Sequence, residues 1–437
     1  MKAKLSSLIV IVLLTSLLIA NCAPAATEAP APMPEETVAP APMPEETEAP
    51  MAEETEAPKP PAPECIQLGS SMPQTGKYGA LGAMIQPGYE IAVDDINAAG
   101  GVYVEEYGTQ VPLCLTIYDD ESDPTKAVAR METLNDELDL TAYLGGGGSE
   151  MHAATAGIAE KNQVPYCGIA FALEKIHQQG YKYLFSPFPK STQQAGDVFE
   201  VLNSVVGDGE KPTIAIFSYN DDWGQEMTAI WEAQAAANGY EIAYKAENPP
   251  KPNDWTDNII QAKAAGAEVL LTLPVPPDGP PMFQAMQEQD WAPKFVLAIR
   301  APEALTWADT GAAGDYVTIF PGWHHEAKYE GVDELNAAFE AKYGRPADLL
   351  TGPGYACVQI IAAAIEAAGT LDTAAVRDAM AATDMDTVIG HVTFNENGTG
   401  NVPNPLVQWQ QGEQHLVFPA DQASTDIQYP APPFAER

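Results

Sequence analysis

The sequence predicts an α/β protein made of two doubly wound parallel-sheet lobes, and three observations carry that prediction. From Ile66 onward, strand-like apolar runs alternate with helical periodicities, the order that lays a parallel sheet beneath covering helices. The alternation begins afresh after Phe185-Ser186-Pro187. The folded part, 437 − 64 = 373 residues, exceeds the roughly 50–250 residues that one core organises.

Taken in order, Ile66-Gln67-Leu68 reads as a short strand ending in Gly69-Ser70-Ser71. Ile85, Tyr89, Ala92, Val93 and Ile96 then share one helical face, and Gly100-Gly101 stops that helix. Leu113 to Ile117 is the next strand, followed by Asp119-Asp120 and a helix through Val128, Met131, Leu134 and Leu138. Ala142-Tyr143-Leu144, a glycine run, a helix near 150–161 and a strand from Val164 to Ile169 complete the first half. The second half reads as strands at Ile214 to Phe217, Tyr240 to Ala243, Val269 to Leu271, Phe295 to Leu297 and Tyr316 to Ile319. Open sheets of this kind bind ligands beyond the carboxyl ends of their strands, so the site is expected in the loops that follow them.

The N-terminus has a different character. Lys2 and Lys4 precede an apolar run from Leu8 to Ala20, the pattern of an export signal and shorter than the ~18–20 residues that span a bilayer. Leu18-Ile19-Ala20-Asn21-Cys22 resembles a bacterial lipobox, although Asn21 departs from it. Residues 1–22 are therefore expected to be a signal peptide with lipidation at Cys22, and simple cleavage or a retained anchor are the alternatives. Either way the rest of the chain lies outside the cytoplasm. Residues 23–64 are rich in Pro, Ala, Glu, Thr and Met, with a nine-residue repeat at 29–37 and 39–47, and hold ten Glu against one Lys. Such a stretch buries too little apolar area to order itself and should be an extended, self-repelling tether. Across the whole chain, 21 basic against 61 acidic residues give −40, which excludes a nucleic-acid binder.

Cys65, Cys114, Cys167 and Cys357 lack the short spacings of a zinc or haem site. The histidine pair His324-His325 would point its side chains apart in a strand. No metal and no cofactor is expected. Cys65 and Cys114 are expected to stand at the same distance ahead of their strands' terminal loops, and the first two strands of a doubly wound half are neighbours about 4.8 Å apart. An oxidising compartment would let these two form a disulfide. The alternative is two buried thiols.

Five loops, taken together, resemble those of type I periplasmic binding proteins of the branched-chain amino acid (leucine/isoleucine/valine-binding) transporter family. They are Ser70-Ser71-Met72-Pro73 with Gly76-Lys77-Tyr78-Gly79, Asp94 to Gly101, Tyr118 to Pro124, Tyr219 to Gly224, and Thr393 to Gly398. The resemblance implies two lobes joined by a three-strand hinge. Residues 65–185 with 322–398 would form the first lobe, and 186–321 with 399–437 the second. It also implies an extracytoplasmic, non-catalytic component of an ABC importer, probing for a small organic solute such as an amino acid or a carboxylic or aromatic acid. Its partners would be that ligand, ABC permease subunits and the membrane through a lipid anchor, with the protein itself a monomer. Two competing classes find less support. An enzyme would need a nucleophile elbow, a His-Glu-x-x-His or a Walker lysine, none of which occurs. A ligand-sensing receptor would need a transmembrane and signalling segment after the fold.

Gly145 to Gly148 and then Ser149 open a helix after a strand, and bare helix N-termini attract anions. The family resemblance places a ligand carboxylate there, on Ser149, while a plain helix cap is the structural alternative. By the same resemblance Ala170 and Ala172 follow the next strand as contacts, Tyr78 and Trp223 wall the cleft from opposite lobes, and Val275, Leu350 and Tyr355 are weaker carry-overs. Arg300 falls where amino-acid binders of the family place the glutamate for the ligand's ammonium. Arginine there would repel an ammonium and favour an acid, unless Glu303 is the true counterpart.

Overall fold

The computed structural model describes residues 58–249 and 254–437; the signal segment, Cys22 and tether residues 23–57 lie outside them. The first sheet is laid down by β1 (Ile66–Met72), α1 (Gly79–Ala98), a small hairpin β2 (Val102–Val104) and β3 (Thr109–Val111), β4 (Leu113–Asp119), α2 (Pro124–Glu137), β5 (Leu140–Leu144), α3 (Ser149–Asn162), β6 (Tyr166–Cys167) and β7 (Leu184–Phe185). Its order is β4-β1-β5-β6-β7, all parallel. All five residues of β5 are buried, as expected of a central parallel strand covered on both faces. Asp123 starts α2 by accepting the Thr125 and Lys126 amides, with Pro124 at the first helical position, where its missing N–H costs nothing.

The chain crosses at 186–190 and builds a second sheet from α4 (Ser191–Val206), β8 (Ile214–Tyr219), α5 (Asp222–Asn238), β9 (Ile242–Asn248), α6 (Thr256–Ala264), β10 (Val269–Thr272), α7 (Gly279–Glu288), β11 (Phe295–Ala298) and β12 (Val317–Ile319). It then returns through α8 (Val332–Tyr343), α9 (Thr351–Ala368) and α10 (Thr373–Ala381), and a three-stranded sheet of β13 (Asp384–Thr387), β14 (Gly390–Phe394) and β15 (Gly400–Asn401). A last crossing at 402–405 leads to β16 (Leu406–Gln410) and β17 (Glu413–Phe418). The second sheet runs β17-β16-β12-β11-β10-β8-β9, antiparallel only where β16 meets β12 and β17. A parallel bridge joins Ser186 to Thr399 between the crossings. The buried Lys190 Nζ donates there to the Phe171 carbonyl at 2.9 Å and the Ser186 hydroxyl at 2.6 Å.

α9 completes the first layer by packing on α1. The Thr351 hydroxyl donates to the Met84 carbonyl at 3.0 Å, and a Cβ at Gly88 would sit 2.2 Å from the Thr351 carbonyl oxygen. Only glycine allows that approach. Among the described residues no single helix is long and apolar enough to cross a membrane.

The structure revises several readings from sequence. β6 is two residues rather than Val164 to Ile169, because the chain turns at Gly168 into the loop that carries Ala170. β9 begins at Ile242 and runs through Lys245, Glu247 and Asn248, since an edge strand can carry polar residues that read as loop. His324 and His325 are not in a strand; their rings stack at 4.3 Å instead of splaying. Residues 58–64 were assigned to the tether by composition, yet Lys59 ion-pairs with Glu105 at 2.6 Å. A lone lysine facing so acidic a chain finds a carboxylate.

Cys65 and Cys114 stand bonded with Cα atoms 5.7 Å apart. The strands are neighbours, but the expected equal offset is not observed. Met72 pairs with Asp119, so Cys65 is 72 − 65 = 7 residues before its strand end and Cys114 is 119 − 114 = 5. A second bond, Cys167–Cys357, ties β6 to α9. Nothing in the spacing announces it.

Candidate ligand-binding site

The loops at the carboxyl ends of β1, β5 and β8, with those after β6, β10 and β11, enclose one cavity of about 250 Å³. Tyr78, Gly148, Ser149, Glu150, Ala153 and Leu173 line it from the first sheet. Tyr219, Asp221, Asp222, Trp223, Val275 and Arg300 line it from the second. Of the residues expected from sequence, Tyr78, Ser149, Trp223, Val275 and Arg300 are thus brought together.

On the first-sheet side the Tyr78 amide donates to the Ser122 hydroxyl at 3.0 Å. Its phenol is pushed up by burial and by the nearby Glu150, with Arg300 opposing. Gly148 takes φ +99, and a Cβ there would press on the Tyr78 ring at 2.9 Å. α3 therefore starts on a residue without a side chain, and its first turn has no side-chain cap. Ser149 is the first helical residue rather than the cap, and its hydroxyl accepts the Leu173 amide at 3.4 Å.

Across the cavity Asp221 caps α5 by accepting the Gly224 amide at 2.7 Å, and burial pushes its carboxyl up, with Glu150 adding to the shift. The Tyr219 hydroxyl donates to Asp278 at 2.5 Å and accepts the Val275 amide at 3.3 Å, which fixes the loop after β10. Glu150 and Asp222 pair with Lys77 and Lys175 at 2.5 and 3.3 Å.

Arg300, 3% exposed, sits in the loop after β11, beyond Ile299, with φ +98, a backbone state that costs a side-chain-bearing residue about 1–3 kcal/mol. Its guanidinium lies over the Trp223 ring at 4.8 Å. Nη1 donates to Glu303 Oε1 at 3.1 Å, while Nη2 and Glu303 Oε2 are buried without a protein partner among the described residues. Glu303 faces Arg300, not the cavity, and burial pushes its carboxyl up against the arginine's pull. The guanidinium therefore gives one nitrogen to Glu303 and keeps the other unpaired among the described residues.

Three expected contacts do not line the cavity. The Ala170 carbonyl accepts the Gly148 amide at 3.0 Å and the Ala172 carbonyl accepts the Ser191 amide at 2.8 Å. Both alanines are fully buried, so each fastens a neighbouring loop instead of meeting a ligand. Leu350 is fully buried in the core beside α9. Tyr355 is likewise elsewhere, donating to Asp95 at 3.0 Å on the α1–α9 surface. Leu173, Tyr219 and Asp221 were not singled out from sequence. Asp221 could have been, because a carboxylate two residues past a strand end, with glycine three later, marks both a helix cap and a loop of the binding edge.

Comparison with known proteins accords with this geometry. A model of the periplasmic binding protein family matches residues 65–414. The Leu/Ile/Val-binding protein homolog 7 of Brucella abortus is 23% identical over 85% of this chain and 95% of its own length. A branched-chain amino acid transporter substrate-binding protein, LivJ of Streptococcus pneumoniae in complex with isoleucine, superposes with TM-score 0.70 at 17% identity, covering 81% of this chain and all of that one. An ABC transporter solute-binding protein from R. palustris in complex with benzoate gives TM-score 0.68 at 18% identity, covering 80% and 95%. With four-fifths of its length matched and the cavity at the sheet edges where the fold binds ligands, the chain belongs to the periplasmic binding protein family.

Proposed function

We propose that the protein is the solute-binding component of an ABC importer and holds a small organic solute between its two sheets. One observation carries the reading: the walls of the cavity come in equal part from loops of the two sheets, so a bound solute bridges them and favours a closed arrangement. In this reading 65–185 with 322–398 and 186–321 with 399–437 move as two lobes about the crossings, and the closed form docks on permease subunits as a monomer. The family is extracytoplasmic and made of solute-binding proteins, and two disulfides suit an oxidising compartment. Lipidation of Cys22 would hold the protein at the membrane.

The relatives' ligands, isoleucine in one and benzoate in another, bracket the solutes to test. Thermal-shift measurements on the purified protein with aliphatic amino acids, amides and aromatic acids should show saturable stabilisation by one class. A flat response to all of them would sink the reading.

A further inference from the structure

We infer that the solute is a carboxylate with a flat or apolar body, that its carboxylate is held by the free arm of Arg300, and that no ammonium group is required. This deepens the solute-binding reading and rests on it.

Arg300 supplies the first argument. Its side chain is 3% exposed, Nη1 is committed to Glu303, and Nη2 is buried with no partner among the described residues. A charged donor withdrawn from water and left unpaired is costly. Arg300 is among the residues that line the cavity, so an acceptor on a bound ligand can complete its guanidinium. The guanidinium is also pre-positioned, lying over Trp223 at 4.8 Å and tethered by Glu303, which suits the planar recognition of a carboxylate.

Independently, the uncapped first turn of α3 opens on the same cavity at Gly148 and Ser149 and adds the positive end of a helix dipole. Tyr78, Leu173, Trp223 and Val275 give the remaining wall an aromatic and aliphatic face for an apolar body.

The acids in the wall decide whether an ammonium is needed. Glu150 and Asp222 already hold Lys77 and Lys175, and Glu303 is turned to Arg300 rather than to the cavity. Asp221 alone faces the cavity without an ion-pair partner among the described residues, and one of its oxygens accepts the Gly224 amide. It is the residue through which an amino acid would make itself felt, and the experiment separates that case.

Calorimetry on the full chain with benzoate, its neutral analogue benzamide, and leucine provides the test. Benzoate is expected to bind at least tenfold tighter than benzamide and leucine. Arg300→Gln should weaken benzoate at least tenfold. Glu303→Gln, which keeps an acceptor for Nη1 but removes the negative charge beside the guanidinium, should tighten benzoate severalfold, a gain that mere structural damage cannot produce. Equal binding of benzamide, a silent Arg300→Gln, or tight leucine binding abolished by Asp221→Asn would each overturn the inference while leaving solute binding intact. Should Arg300→Gln fail to fold, the benzamide comparison and Glu303→Gln still decide. No heat from benzoate also overturns it, and no response to any solute class removes the underlying reading as well.

Discussion

Cys167 and Cys357 are 190 residues apart, and every residue of β8 to β12 lies between them. Replacing both with alanine releases that loop in the unfolded chain. In the chain-entropy treatment, a closed loop of this size stabilises by roughly 5 kcal/mol at 25 °C, and the 49-residue loop of Cys65–Cys114 by roughly 4, because the dependence on length is logarithmic. Both sulfurs of the longer bridge belong to fully buried residues, so the substitution also loses some packing. Against a total stability of about 5–15 kcal/mol, the double variant should lose a third or more. Guanidinium unfolding followed by tryptophan fluorescence measures this as a lower midpoint with a steeper slope, because the unfolded chain without the cross-link is more expanded. The loss should appear mainly as slower folding, since the bond acts on the unfolded ensemble. A loss below about 1 kcal/mol, or mass spectrometry showing Cys167 and Cys357 as free thiols in the unreduced protein, would refute the reasoning.

Three further outcomes are expected. His152 and His177 are buried and held down to about 3 by that burial, while unfolded histidine titrates near 6.5. The unfolded chain therefore binds more protons and stability should fall as pH drops from 6.5 towards 3, by up to about 5 kcal/mol per histidine; a flat midpoint across pH 7 to 5 would contradict this. Burial raises Asp120 to about 6 even though Ser122 and Ser71 donate to it, so its charge weakens the fold at neutral pH and the penalty fades as pH falls through 6 towards 4. Asp120→Asn should then raise stability at pH 7 by about 1–2 kcal/mol and change little at pH 4, and destabilisation at pH 7 would argue against it. Gly88→Ala sets a methyl 2.2 Å from a backbone oxygen of α9 and should cost about 1–3 kcal/mol, read as a lower melting temperature; an unchanged value would show that the helices separate without cost.

The alternation that defines both sheets was legible because buried parallel strands are continuous apolar runs, as in Ile214 to Phe217 and Val269 to Leu271. What escaped was non-local. β6 shrank because Gly168 and Ala170 turn the chain where the composition still reads as strand. The bond from Cys167 to Cys357 depends on where α9 docks, which no local pattern encodes. In the site, Tyr78, Ser149 and Arg300 were reached through the family resemblance of the loops that carry them, and these loops do line one cavity. Ala170, Ala172 and Leu350 fall outside the cavity lining, because one sequence cannot show which loop carbonyls bond a neighbouring loop, as those of Ala170 and Ala172 do, or that Leu350 turns into the core.

The packing of α1 on α9 bears on how the protein is made. The two helices are separated by 351 − 98 = 253 positions, so the side of α1 that meets α9, around Met84 and Gly88, has no cover until most of the chain has emerged. Contacts of such long range are slow to form, and an exposed apolar helix invites association in the interval. A chain of this design meets its greatest risk of aggregation between the emergence of α1 and the arrival of α9. Holding factors that bind the emerging chain should therefore affect its yield more than any feature of the finished cleft.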